Sequence, residues 1–204
     1  MKVKLTAKMS RREGVNLDGR EKIDRILNKR PYIPGEHGPN NRARLTDYAK
    51  QLREKQKCKR IYGLTEKQFR NLFEESAKKR GDSGSVFVTL LESRLDNVIF
   101  RAGFAKTRAM ARQYVGHAMF DVNGKKMNIP SYRVKEGDVI RVRANKQNKG
   151  PWKQLEETVK NHDLPSWIAT DPKEMTIKVT GGPSEEELKK QPFDIKLIVE
   201  FYSR

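Results

Sequence analysis

Cysteine is almost missing from this 204-residue chain. Cys58 is its only one, which excludes an intrachain disulfide and suits a reducing compartment. Histidine is nearly as scarce: His37, His117 and His162 stand far apart, with no Cys or His at ligand spacing, so no metal site is expected. Apolar residues make up only 35% of the chain. No run of them approaches the roughly 20 residues that a membrane span needs, so no membrane partner is expected. The basic first residues lack the apolar core of a secretory signal, and none is expected. Acids are few as well. Against 44 Lys and Arg stand 26 Asp and Glu, a net charge of +18. So little apolar surface builds a thin core, and so much positive charge points to a polyanionic partner.

The charge is unevenly spread. Residues 1–60 hold 18 Lys and Arg against 7 Asp and Glu, whereas residues 161–204 hold 6 against 8. The polyanion is therefore expected on the first three-quarters of the chain, and protein packing or protein contact at the end. Residues 1–43 show no sustained periodicity beyond Ile23, Ile26 and Leu27, and "RPYIPGEHGPNN" reads as an irregular loop. This basic arm looks poorly self-supporting.

Helical signals begin at Thr46. Leu45, Tyr48 and Leu52 mark one expected face, Lys50, Arg53, Lys57 and Arg60 lie on others, and Gly63 suits the end. Thr65 to Gln68 has the form of a capping box, followed by Phe69, Leu72, Phe73 and Ala77 at helical spacing as far as Gly81. From Ser85 one helix is expected to run through Val86, Leu90, Leu95 and Ile99 toward Gly103. Thr107 caps a short helix with Arg108 and Arg112 one turn apart, closed by Gly116. Ala118, Phe120 and Val122 then alternate as a strand, and Asn123-Gly124 favours a type I′ hairpin turn. With that turn Val122 faces Lys125, Asp121 faces Lys126 and Phe120 faces Met127. In "VIRVR", Ile140 and Val142 point inward and Arg141 and Arg143 outward.

Residues 94–143 thus read as two helices on a small antiparallel sheet. Arg94 and Arg101 lie near one line of the first helix, and Arg108 and Arg112 line the second. Acidic partners look too scarce to neutralise them, which directs them toward RNA or DNA. Beyond residue 150, "PWKQLEETVKNHD" suits a short helix and "PSWIATDP" a loop with a buried Trp167. "MTIKVT" and "DIKLIVEFY" suggest two strands around Gly181-Gly182-Pro183, with a helical turn at Ser184. No Gly-rich phosphate loop, nucleophile elbow or apolar carboxylate pair suggests an enzyme, and Asp96 reads as a charge partner.

Seven stretches occur together in order: "SRREG" at 10–14, "PGEHG" at 34–38, "RLTDYAKQLREKQK" at 44–57, "RIYGLTEKQFRNLF" at 60–73, "LLESRLDNVIFRAGFAKTRAMARQ" at 90–113, "VNGKKMNIPSYRVKEGDVIRVR" at 122–143 and "LIVEFYS" at 197–203. With them the chain resembles the bacterial small-subunit ribosomal protein four, the S-four family. The resemblance implies an α+β fold: a basic arm over 1–43, a helical domain over 44–93 completed by 154–204, and an inserted RNA-binding domain over 94–153. It implies a structural, non-enzymatic constituent of the small ribosomal subunit without cofactor. Such a protein binds 16S ribosomal RNA, nucleates assembly of the subunit body in the cytoplasm, with an organellar ribosome as the alternative, and leaves room for repression of its own messenger.

The same resemblance directs particular residues to RNA. On the arm and the first domain these are Arg11, Arg12, Arg44, Arg53, Lys55 and Lys57, then Lys59, Arg60 and Tyr62. On the inserted domain they are Arg94, Arg101, Lys106, Arg108 and Arg112, with His117, Asn123, Gly124 and Lys125. Arg42 and Arg44 match basic positions beside the path by which messenger RNA enters. Leu197, Val199, Phe201 and Tyr202 are implied to approach ribosomal protein five, a contact tied to decoding accuracy. Some family members hold zinc through cysteines near the N-terminus; none stands here, so the arm is expected to be ordered by RNA instead.

Overall fold

Hydroxyl side chains set where several helices begin. Thr6, Thr46, Thr65, Thr107 and Ser184 each accept an amide N–H three residues on, satisfying a donor that the first turn leaves open. In chain order the helices are α1 (Ala7–Glu13), α2 (Glu21–Lys29), α3 (Asp47–Ile61), α4 (Glu66–Lys78) and α5 (Ser83–Glu92). They continue as α6 (Leu95–Arg101), α7 (Arg108–Gly116), α8 (Leu155–Lys160), α9 (Glu185–Lys189) and α10 (Ile195–Tyr202). The strands are β1 (Phe120–Val122), β2 (Lys125–Met127), β3 (Val139–Val142), β4 (Ile168–Asp171) and β5 (Thr176–Val179). This computed structural model describes residues 5–40, 44–148, 150–152, 155–160 and 162–203. The chain divides into two compact units, Met1–Phe87 with Gln191–Arg204, and Val88–Lys190.

The helical unit corrects three expectations. The arm is not irregular throughout: α1 and α2 pack together, α1 packs on α3, and Leu17 and Ile23 are buried. The Pro- and Gly-rich stretch after α2 contains neither helix nor strand among its described residues. On α3 the buried line is Gln51, Lys55, Cys58 and Ile61, while Leu45 and Tyr48 are 54% and 51% exposed. The expected Leu45–Tyr48–Leu52 face is thus not the inward one. "DIKLIVEFY" is a helix and not a strand. Asp194 caps it, and Ile195, Ile198 and Tyr202 recur at helical spacing, with Ile198 fully buried. Packing against α3 overrides the strand preference of its β-branched residues. Tyr202 stacks on Phe73 with centroids 4.6 Å apart, and Phe69 and Phe87 meet edge to face at 5.0 Å.

The second unit holds an antiparallel sheet in the order β2-β1-β3-β5-β4. The hairpin register is as expected, with Phe120 opposite Met127, Asp121 opposite Lys126 and Val122 opposite Lys125. Asn123 and Gly124 take φ of 50° and 77°, the positive pair a type I′ turn needs. Ala118 also sits at positive φ, 51°, so the strand starts later than the alternation suggested. "PSWIATDP" is not all loop, because β4 occupies part of it and pairs with β5. That hairpin lies beside β3, so residues 154–190 group with the sheet and not with the helical domain as expected.

The long helix expected from Ser85 to Gly103 is broken. Arg94 is extended, with φ −67° and ψ 137°, and bridges Arg133. Leu95 N–H donates to Tyr132 O at 2.8 Å and Val134 N–H to Ser93 O at 2.9 Å. The backbone between α5 and α6 thereby gains partners it would lack in a bare kink. Beneath lies a core of Leu95, Ile99, Phe120, Ile140, Trp152, Trp167 and Ile177. Ile177 is fully buried on β5. Ile177→Ala is expected to lower stability by about 2–5 kcal/mol in urea unfolding. A loss below about 1 kcal/mol would remove β5 from the core.

Candidate nucleic-acid interface

On the sheet unit, the arginines meet acids that sequence reading took to be missing. Asp96, 5% exposed, accepts Arg94 through Nε at 3.1 Å and NH2 at 2.8 Å, and Arg112 NH1 approaches it at 3.5 Å. Glu92, 2% exposed, receives Arg101 at 3.0 and 2.8 Å. Arg108 Nε donates to Asn97 Oδ1 at 2.8 Å, and its guanidinium lies 4.3 Å from the Phe100 ring centroid. The expectation of unneutralised arginines is therefore corrected: the carboxylates are few but buried beneath them. Asp96 is a charge partner, as the sequence implied.

Burial sorts the candidates. Arg94 is 4% exposed and doubly bonded to Asp96, so it shapes the site from within and does not lie on its surface. Arg101, Arg108 and Arg112 are half-buried, presenting part of each guanidinium to solvent. Lys106, His117, Gly124 and Lys125 are exposed. Asn123 is exposed, yet its amide is engaged inside the protein. Nδ2 donates to Asp138 Oδ1 at 2.8 Å, and Oδ1 accepts Val139 N–H at 2.9 Å. This clamp fixes the hairpin tip, which makes Asn123 a shaping residue. On the open face of the sheet, Lys126, Arg141 and Lys178 are also exposed; the alternation of "VIRVR" pointed to Arg141, while Arg143, which it also turned outward, is half-buried with Nε 3.2 Å from Asp121 Oδ1.

The helical unit repeats the pattern. Glu13, buried on α1, is bridged by Arg60, with Arg53 NH1 at 3.4 Å. Burial raises its pKa, an effect that the surrounding Arg53, Arg60, Lys57 and Arg12 charges oppose. Glu66 accepts Lys55 Nζ at 2.7 Å, Lys59 Nζ at 2.6 Å and the Tyr202 hydroxyl at 3.2 Å. Lys55 is buried with its ammonium 4.7 Å from the Phe201 ring centroid, and Tyr62 is buried as well, so neither offers an open surface. Arg11 donates to the carbonyls of Arg30 and Tyr32 at 3.2 Å each and pins that loop. Lys57 pairs with Glu54 at 2.6 Å. Arg12 and Arg44 are exposed, and Arg42 lies outside the described residues. Leu197, Val199, Phe201 and Tyr202 are half-buried on their own unit, where Phe201 neighbours Tyr48 at 5.8 Å.

Among the described residues, no group of three His, Cys, Asp or Glu side chains lies close enough to hold a metal ion. None of the helices described is long and apolar enough to cross a membrane.

Sequence comparison agrees with this organisation. The model of the "Ribosomal protein S4/S9 N-terminal domain" matches residues 4–92, and that of the "S4 domain" matches residues 93–140. The chain is 48% identical to "Small ribosomal subunit protein uS4" of Thermus thermophilus over 87% of its length and 85% of the relative. The chain belongs to the uS4 family. Its likeness to the proteins of the same name from Chlorobium limicola and Geobacillus stearothermophilus is 44% and 47%, over 97% of this chain and 96% of each relative. Membership of the uS4 family covers both units, including the C-terminal region where the motifs were sparsest.

Burial alone would raise the Glu66 pKa, but the Lys55 and Lys59 ammonium groups outweigh it and hold the carboxyl down to about 2, from an ordinary 4.5. A depressed carboxylate stabilises the fold above its unfolded pKa and loses that contribution as pH falls through the folded one. Part of the native stability should therefore disappear between pH 4.5 and about 2. In acid titrations followed by circular dichroism, Glu66→Gln should lessen the fall over that range. Superimposable curves for the two proteins would remove this role from Glu66.

Proposed function

We propose that this chain is a structural protein of the small ribosomal subunit that binds 16S ribosomal RNA and has no enzymatic task. The observation that carries the reading is kinship: relatives 44–48% identical over most of the chain all bear the name of a small-subunit protein. The charge supports it, since a net +18 needs a polyanion and duplex or folded RNA supplies one. The surface on the sheet unit is made of Arg101, Arg108 and Arg112 on α6 and α7, with Lys106 before α7 and Gly124 and Lys125 at the hairpin tip. On the helical unit Arg12 and Arg44 reach solvent, and Arg53, Lys57, Lys59 and Arg60 contribute partly exposed charge. Arginine suits this work because its planar fork grips phosphate and stacks on bases. Cytoplasmic ribosomes are the corresponding location.

Three finer roles belong to the same reading. Early binding to 16S RNA nucleates assembly of the subunit body. Arg44, with Arg42, lies beside the messenger path and assists unwinding. The α10 end, with the half-exposed Tyr48 next to Phe201, meets ribosomal protein five and bears on decoding accuracy.

Affinity for 16S RNA should fall steeply across a salt series, since each phosphate neutralised on duplex DNA changes the slope of log affinity against log salt by about −0.9. Arg112→Ala should weaken binding and reduce the slope by about 1. Its folding cost should stay small, because Asp96 keeps Arg94. A flat salt response would sink the RNA reading.

Reconstituted subunits separate the finer roles. Those carrying Arg44→Ala should assemble normally yet translate messages with strong hairpins more slowly. Those carrying Tyr48→Ala should assemble and misread more often. Unchanged rates on hairpin messages would exclude the first role, and unchanged errors the second. Small subunits that form at their normal rate without this chain would exclude nucleation.

A further inference from the structure

Arg101 and Arg108 lie on different helices, yet one acid reaches both. Glu92 takes Arg101 on both carboxylate oxygens, Nε on Oε2 at 3.0 Å and NH2 on Oε1 at 2.8 Å. The same Oε2 accepts Asn97 Nδ2 at 2.7 Å, and the Glu92 main-chain oxygen accepts that amide nitrogen at 3.0 Å. Both acceptors therefore belong to one residue, and the amide has one favourable orientation. Its Oδ1 is turned away from Glu92, toward Arg108, whose Nε donates to it at 2.8 Å. Glu92 and Asn97 are each 2% exposed, so water does not compete for these bonds.

We propose that Glu92 and Asn97 are positioning residues of the RNA surface: Glu92 orients Arg101 directly and orients Arg108 through the Asn97 amide. The inference rests on the reading that these arginines bind RNA, and it adds a device that sets their geometry before RNA arrives. The bond between α5 and α6 explains why the break at Ser93-Arg94 matters. An unbroken helix would put Glu92 and Asn97 five residues apart, about 140° away from each other around the axis, and they would not face one another. The extended Arg94 brings them together.

The arrangement has a distinctive weakness. A glutamine at 92 would still hold most of the network, because an oxygen in the Oε2 place accepts both Asn97 Nδ2 and Arg101 Nε. Alanine removes both side-chain acceptors at once. Arg101 then loses its two bonds to residue 92, and the Asn97 amide keeps only the main-chain oxygen at 3.0 Å. Glu92→Ala thus loosens the amide that holds Arg108, although it never touches Arg108.

The test is a double-mutant cycle on 16S RNA affinity with the full-length protein, corrected for folded fraction by thermal unfolding. The variants are Glu92→Ala, Arg108→Ala and the pair. Arg108→Ala should cost at least about threefold more in the native background than beside Glu92→Ala, the size expected for members of one hydrogen-bond network. With Asn97→Ala already present, the two effects should become independent, because the link is gone. Additive effects in the native background, with Arg108→Ala itself costly, would overturn the relay and leave the RNA reading standing. No cost from Arg108→Ala would sink the RNA role of this residue and the proposal with it. Should the Glu92 and Asn97 variants fail to fold, the unaltered protein still decides. The Arg108 Nε–H should exchange slowly with solvent in RNA-free protein by NMR, and fast exchange would overturn the proposal.

Discussion

A carboxylate shared between two cations is the interaction on which this structure turns. Glu13 sits between Arg53 and Arg60, Glu66 between Lys55 and Lys59, and Asp96 between Arg94 and Arg112. A buried cation without a partner is costly, and a chain with 44 Lys and Arg against 26 acids cannot give each its own. Sharing one acid between two cations resolves the shortage. Each cluster keeps a net charge of +1, and the position of that charge is fixed by packing instead of by a flexible stem. Removing an acid therefore does more than delete one attraction: it leaves two cations repelling each other at the edge of a thin core.

How much of this could be read from the sequence depended on the range of the interaction. The hairpin was legible because its determinants are adjacent: Asn123 and Gly124 tolerate positive φ, and the register follows from the turn. The Thr65 capping box and the Ser184 turn were legible for the same reason. The break after Glu92 was hidden because the apolar spacing of Leu90, Leu91, Leu95, Val98 and Ile99 passes across it almost undisturbed. What breaks the helix is pairing with residues 130–134, which no local pattern records. Residues 195–202 combined a helical period with β-branched side chains, and only contact with α3 decided between them. The joining of β4 and β5 to β3 was likewise a long-range event.

The candidate site divided along the same line. Which residue types would face a polyanion was visible from charge alone, but which of them stay on the surface was not. Lys55 and Arg94 look no different in sequence from Lys57 and Arg101, yet their partners lie close enough to draw them inside. Glu13 is 47 residues from Arg60, and Asp96 is 16 from Arg112. Counting acids along the chain made the arginines look unneutralised because it weighed number and not placement.

Placement also bears on how tightly such a surface can hold its partner. A long cation free in solution loses rotamer freedom when it binds, about 0.5–1.5 kcal/mol for each side chain immobilised. Arg101, Arg108 and Arg112 already have much of that freedom removed by Glu92, Asn97 and Asp96. The gain has a counterweight. A guanidinium whose charge is already partly balanced by a buried acid attracts a phosphate less than an unpaired one would, even through the N–H donors left open. Counterion release depends on how many charges meet the phosphates, whereas the ordering cost depends on how they are held beforehand. On the proposed RNA surface affinity and salt dependence are therefore separable: the number of cations sets the slope, and the buried acids set how much of the attraction survives as binding.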